Sequence, residues 1–116
     1  MNKRETGSRY EDQAAKFLED KGYIILEKNF RCKLGEIDLI GKSENYLCFI
    51  EVKYRSDSGH GYPSEAIDYR KQKRIINSAM TYMNLHRLPL DTPCRFDVVV
   101  ILNQEFKLII NAFEGK

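Results

Sequence analysis

The stretch GEIDLIGKSENYLCFIEVKYR, Gly35 to Arg55, decides the fold. It reads as two strands around a polar turn centred between Glu44 and Asn45. On the first strand, Ile37 and Leu39 alternate with Glu36, Asp38 and Ile40. On the second, Leu47, Phe49, Glu51 and Lys53 share one face, and Cys48, Ile50, Val52 and Tyr54 share the other. The inner half of this second strand is apolar on both faces, which is the pattern of a central strand.

That turn sets a register. With the centre between Glu44 and Asn45, Asp38 falls opposite Glu51 and Glu36 falls opposite Lys53. Residues directly opposed across an antiparallel pair share a face, with side chains roughly 5 Å apart. A slip of one residue would move Glu51 to the other face. The Glu-x-Lys pattern is common by itself: the chain has four copies, at Glu19/Lys21, Glu51/Lys53, Glu105/Lys107 and Glu114/Lys116. Only the copy at Glu51/Lys53 lies inside an apolar strand, where burying a charge without a partner is costly.

Two readings fit this cluster. In one, Glu36 and Lys53 form a cross-strand ion pair, and Asp38 and Glu51 are solvated at a sheet edge. In the other, the two facing carboxylates take a counter-cation. Hard oxygen donors with no nearby cysteine or histidine favour Mg²⁺ or Mn²⁺ over zinc. A lysine beside such a centre can orient or deprotonate an attacking water. That set of groups suits phosphodiester hydrolysis.

Working outward, the segment SRYEDQAAKFLEDKG reads as a first helix, with Tyr10, Ala14, Phe17 and Leu18 on one stripe. Ser8 followed by Glu11 fits a capping box, and Gly22 fits the position just past the helix end. Tyr23 to Phe30 reads as a strand. Arg55 to Ser64 is a loop rich in Gly, Ser and Asp, and it carries His60 and Tyr62. Ser64 to His86 reads as a long helix with Ile67, Ile75, Ala79, Met80 and Met83 on its apolar side. RFDVVVIL and FKLIINAF form a last pair of strands around Asn103–Glu105. The order α-β-β-β-α-β-β, with a helix between the third and fourth strands, predicts one parallel crossover in a mixed sheet flanked by two helices.

The chain has 116 residues, 42% apolar and 31% charged, with a net charge of +2. This suits one domain spanning residues 1–116 with a real core. So mild a charge excess neither demands nor excludes a nucleic-acid partner, and local clustering has to decide. Three cysteines without a C-x-x-C pair, and only two histidines, argue against a zinc site or a disulfide framework. With no apolar leader and no run of membrane-spanning length, the expected location is the cytoplasm.

Taken together, GEIDLI followed by FIEVKYR resembles the D…E-x-K core of the restriction-endonuclease-like PD-(D/E)xK superfamily. Nearly end to end, the chain resembles the uncharacterised YraN-like family of that superfamily, related to archaeal-type Holliday-junction resolvases. The likeness takes in GSRYEDQAAKFL, NFR, GYPSEAI, the region of Lys71, RFDVV and NAF. It implies an αβββαβ core and an Mg²⁺ (or Mn²⁺) site held by Asp38, Glu51 and the backbone carbonyl of Val52. It implies Lys53 as the catalytic lysine and Glu36 as an assistant to Asp38 or Lys53. It also places Glu11 at the site, since related resolvases use an acidic residue of the first helix there. That role conflicts with the capping box.

Arg31, Arg55, Lys71 and Arg74, with Lys33, are the candidates to hold nucleic-acid phosphates, and Arg70 and Lys73 read as a solvated helix face. Tyr54 and Tyr62 are candidates to stack on an unpaired base. The leading expectation is an endonuclease acting on DNA, including branched or damaged structures. The alternative is a non-catalytic nucleic-acid-binding module on the same fold. A chain this short has little surface for a four-way junction, so a homodimer or a host complex is expected.

Overall fold

Gly35–Ser43 and Tyr46–Arg55 form two antiparallel strands in the computed structural model, which describes residues 3–55 and 67–115. The elements in chain order are α1 (Lys3–Asp20), β1 (Ile24–Cys32), β2 (Gly35–Ser43), β3 (Tyr46–Arg55), α2 (Tyr69–Leu85), β4 (Cys94–Leu102) and β5 (Glu105–Phe113). The loop from residue 56, the first residues assigned above to the long helix, and the side chains of residues 3–8 and of Arg55 lie outside the described residues, as do His60 and Tyr62.

The strands lie in the order β1-β2-β3-β4-β5. Only β3 and β4 run parallel, and α2 makes the crossover between them. This is the predicted mixed sheet flanked by helices, and it is compatible with a restriction-endonuclease-like αβββαβ core. β3 and β4 are central because both carry apolar residues on both faces. Ala14, Ala15 and Leu18 of α1 pack on Leu39, Cys48, Ile50, Val99 and Ile101. Ile75, Ala79 and Tyr82 of α2 pack on Ile37, Ile40, Phe49, Phe96, Val98 and Val100 on the other side.

Local chemistry explains the ends of the elements. Gly22, at φ +98°, closes α1: the Tyr23 amide donates to the Leu18 carbonyl and the Gly22 amide donates to the Glu19 carbonyl. The β4–β5 hairpin turns through Asn103 and Gln104, both at positive φ. Asp68 caps α2 by accepting from the Lys71 amide at 3.0 Å.

Four expectations need correction. α1 begins at Lys3, so Ser8 lies inside the helix and not at its N-cap. α2 begins after Asp68, so Ile67 is buried without being helical. Met80 is 55% exposed, and the buried α2 residues are Ile75, Ser78, Ala79 and Tyr82. Ile37 and Leu39 do not share a face. Ile37 joins the α2 core and Leu39 the α1 core. The reason lies in β1. Asn29 has φ +56°, a left-handed conformation that Asn tolerates, and it lies between Lys28, paired with Leu39, and Phe30, paired with Ile37. Both strands exchange faces at this point, and Asp38 sits at the exchange.

Candidate functional site

The sheet forks at Asp38. The β2–β3 ladder has the predicted register and ends at Leu39 opposite Ile50. Beyond it, β2 stays paired with β1 as far as Gly35, and β3 stays paired with β4 as far as Arg55. The Asp38 carboxylate bridges the fork: its Oδ2 accepts a hydrogen bond from the Val52 amide at 2.8 Å. Glu51, next along β3, is only 7% exposed and hydrogen-bonds to Asp38. The two carboxylates predicted to face each other therefore do so, at the point where the strands part.

Glu11 reaches the same place from α1. Freed from capping, its side chain hydrogen-bonds with Asn29 and Asp38, while its Oε2 is buried with no hydrogen-bond partner. From α2, the Lys71 ammonium ion-pairs with Glu51 Oε2 at 2.5 Å. Lys53 is half-buried, two residues beyond Glu51 on β3 and opposite Val100 of β4. Glu36 is placed differently from expectation. It lies opposite Arg31 of β1 and pairs with it at 3.4 Å, because the β2–β3 ladder ends before Glu36 and Lys53 can oppose each other.

Electrostatics follow from this crowding. Burial, then the hydrogen bond and charge of Glu51, push the Asp38 carboxyl up to about 9, against the opposing pull of the Val52 amide. Burial also raises Glu11. Burial alone would lower the Lys71 ammonium, but Glu51, Asp38 and Glu36 together raise it. A pH dependence follows. Asp38 is raised well above its ordinary 3.8, so its contribution to stability is complete below that value and is lost as pH rises towards 9. The thermal midpoint of the metal-free protein should fall across that window, and Asp38→Asn should flatten the slope. An identical slope in the variant would remove Asp38 from the account.

Do these residues fit a cation? Among the described residues, no group of three or more His, Cys, Asp or Glu side chains forms a ready-made metal centre. What is present is a desolvated carboxylate pair with an unsatisfied Glu11 oxygen beside it. Mg²⁺ ordinarily takes one or two carboxylates and keeps waters for the rest, so the donor set fits a hard divalent ion.

A groove of about 560 Å³ adjoins the carboxylates through Lys71, which lines it and pairs with Glu51. Arg31, Lys33, Lys71 and Arg74 line it, with Glu36 as the acidic member. The turn between β1 and β2 approaches α2 closely there. A Cβ at Gly35, which has φ +150°, would lie 3.0 Å from Ser78 Oγ. Three of the four predicted phosphate-binding residues, with Lys33, thus meet in one place. Arg70 and Lys73 are exposed and do not line the groove. Tyr54 is 37% exposed and stacks on Tyr10, with ring centroids 3.7 Å apart, so one of its faces is already taken.

Two features were missed in the sequence. One is the reach of Lys71 to Glu51, which depends on where α2 packs. The other is a buried network on the α1 face. Asp97 accepts from Tyr23 Oη at 2.7 Å, from Arg95 Nε at 3.0 Å and from the Asn111 amide at 2.9 Å, and Arg95 Nη2 donates to Tyr23 Oη at 2.9 Å. Arg95 and Asp97 stand two apart in an apolar strand, as Glu51 and Lys53 do, and the same spacing argument would have flagged them. The network also pushes the Cys48 thiol up to about 12, through burial first and the Asp97 charge second.

The fold and site define an α/β protein with a five-stranded mixed sheet and a carboxylate cluster at a fork between two strands. The chain belongs to the uncharacterised protein family UPF0102, whose profile matches residues 10–101. It is 52% identical over 115 residues to a UPF0102 protein of Lachnoclostridium phytofermentans, covering 99% of this chain and 98% of that one. It is 45% identical over 117 residues to a UPF0102 protein of Clostridium botulinum strain 657, covering 96% and 95%. No described helix is long and apolar enough to cross a membrane.

Proposed function

We propose that this chain is a metal-dependent endonuclease of the restriction-endonuclease-like superfamily, hydrolysing phosphodiester bonds of DNA. The observation that carries the reading is the Asp38–Glu51 pair, two carboxylates held together in a desolvated fork beside a cationic groove. Asp38, Glu51 and the Val52 carbonyl would hold Mg²⁺ or Mn²⁺. When bound, such an ion polarises the phosphate and lowers the pKa of the attacking water. Lys53, two residues on from Glu51, orients that water or neutralises the charge that develops. Arg31, Lys33 and Arg74 hold phosphates of the strand and fix its position without reading bases. Glu11 buttresses Asp38 from α1, the place of the acidic helix residue in related resolvases.

The test is a panel of labelled single-stranded, duplex, flap, nicked and four-way-junction DNA with Mg²⁺, Mn²⁺ or EDTA. Metal-dependent cutting is expected, and the preferred structure names the substrate class. No cutting of any member would sink the reading. The groove supports a second reading, a non-catalytic nucleic-acid-binding module, because its cations act independently of hydrolysis. Both readings predict salt-sensitive binding. Replacing Arg31 and Arg74 together with alanine should reduce the slope of log affinity against log salt by about 2, with similar weakening across sequences. An unchanged slope would place the nucleic acid elsewhere.

A further inference from the structure

We propose that Lys71 is an exchangeable counter-ion: it neutralises Glu51 in the metal-free protein and turns into the groove to take a phosphate when a divalent cation binds. This rests on the metal reading above and assigns the site a built-in competitor. The two partners differ in freedom. Glu51 is 7% exposed and fixed in the centre of β3, whereas the Lys71 side chain is 52% exposed at the end of a flexible four-carbon stem. The ammonium can leave at little cost, and the carboxylate cannot follow.

The backbone of Lys71 is held in the first turn of α2, where its amide donates to the Asp68 cap. A cation in a helix's first turn is unfavourable against the helix dipole, and beyond the Asp68 cap this turn has no acidic residue to offset it. Lys71 therefore needs an anion. In the metal-free protein it pairs with Glu51, with Asp38 and Glu36 acting on it from further off, and a phosphate in the groove that it lines with Arg31, Lys33, Glu36 and Arg74 would be a second partner. An ammonium 2.5 Å from Glu51 Oε2 and a divalent ion on the same carboxylate repel each other, so the two occupants exclude one another. Cation binding and delivery of Lys71 to the phosphate are then one event. The groove gains a charge when the catalytic centre is complete.

The experiment titrates Mn²⁺ into wild type, Lys71→Met, Lys71→Gln and Glu51→Gln by calorimetry, without nucleic acid. Met and Gln are good helix formers at an exposed position, and thermal unfolding of each variant checks the fold. Removing Lys71 should tighten Mn²⁺ binding on the order of fivefold, the factor for losing an ion pair worth about 1 kcal/mol. Glu51→Gln should lose the binding. A second measurement follows DNA affinity against salt. Wild type should exceed Lys71→Met in slope by about 0.9 with Ca²⁺ present and by close to zero in EDTA. Equal or weaker Mn²⁺ binding in both Lys71 variants, with Glu51→Gln still defective, overturns the counter-ion role alone. So does a slope difference that is the same with Ca²⁺ and EDTA. Absence of Mn²⁺ binding in wild type and Lys71 variants alike overturns the metal reading, and the exchange with it.

Discussion

Glu51→Gln and Lys53→Ala are each expected to remove metal-dependent cleavage while the fold stays intact. Glutamine keeps the shape of Glu51 and a hydrogen bond to Asp38, but it removes one negative charge from the fork. A centre left with the Asp38 carboxylate alone loses much of its hold on a divalent ion. The stability change is small because two effects oppose. The ion pair with the half-exposed Lys71, lost in the variant, is worth up to about 1 kcal/mol, and the like-charge contact with Asp38 is relieved. Urea unfolding within about 1 kcal/mol of wild type is therefore expected. For Lys53→Ala, losing the group that orients or deprotonates the attacking water should lower the cleavage rate by about 10²- to 10⁴-fold. Single-turnover kinetics on the preferred substrate, with binding measured in parallel, separates chemistry from affinity. Cleavage at the wild-type rate by either variant would remove the cluster from the reaction.

Asp97→Ala is expected to lower folding stability by about 3–5 kcal/mol, a large fraction of the roughly 5–15 kcal/mol of a typical domain. Asp97 is 0% exposed and accepts from three different groups. Truncation strands the Arg95 guanidinium in the α1-face core, where only Tyr23 Oη remains as a partner in the network. It also frees the Asn111 amide. Asn111 has φ +55° and lies in the irregularity of β5 that separates the Phe96–Phe113 and Val98–Ile109 pairings. The network therefore holds an edge strand as well as a charge. Tyr23→Phe should cost about 1 kcal/mol, one hydrogen bond's worth. Urea midpoints for both variants check this. A loss below about 1 kcal/mol for Asp97→Ala would mean that water reaches the site and screens it. Because Asp97 faces α1 and Glu51 faces α2, residual Mn²⁺ binding in a folded Asp97 variant would separate structural support from the proposed site.

Much of this molecule was legible in one dimension. The polar turn at Glu44–Asn45 sets the pairing of β2 with β3, and because side chains alternate with a period of two, a slip of one residue would move Glu51 to the other face. The facing of Asp38 and Glu51 follows from that arithmetic. The two-sided apolar character of β3 and β4 puts them at the sheet centre, and a helix between them requires a parallel crossover. Gly22 ends α1 for the local reason that its position needs a left-handed backbone.

What the tertiary structure decided lies where separate elements meet. The capping box at Ser8 is locally sound, yet α1 continues past it towards the N-terminus, and Glu11 turns to Asn29 and Asp38. Periodicity placed Met80 on the buried side of α2, but the helix packs with Ser78 and Tyr82 against the sheet and leaves Met80 exposed. The exchange of faces at Asp38 goes with a single left-handed Asn29 on a neighbouring strand, which strand alternation does not anticipate. The Lys71–Glu51 pair and the Asp97 network join residues 20 and 74 positions apart in the chain. Spacing along a strand or helix determines which side chains share a face. Only the packing of one element on another determines which charges meet, because that depends on the summed burial of both cores.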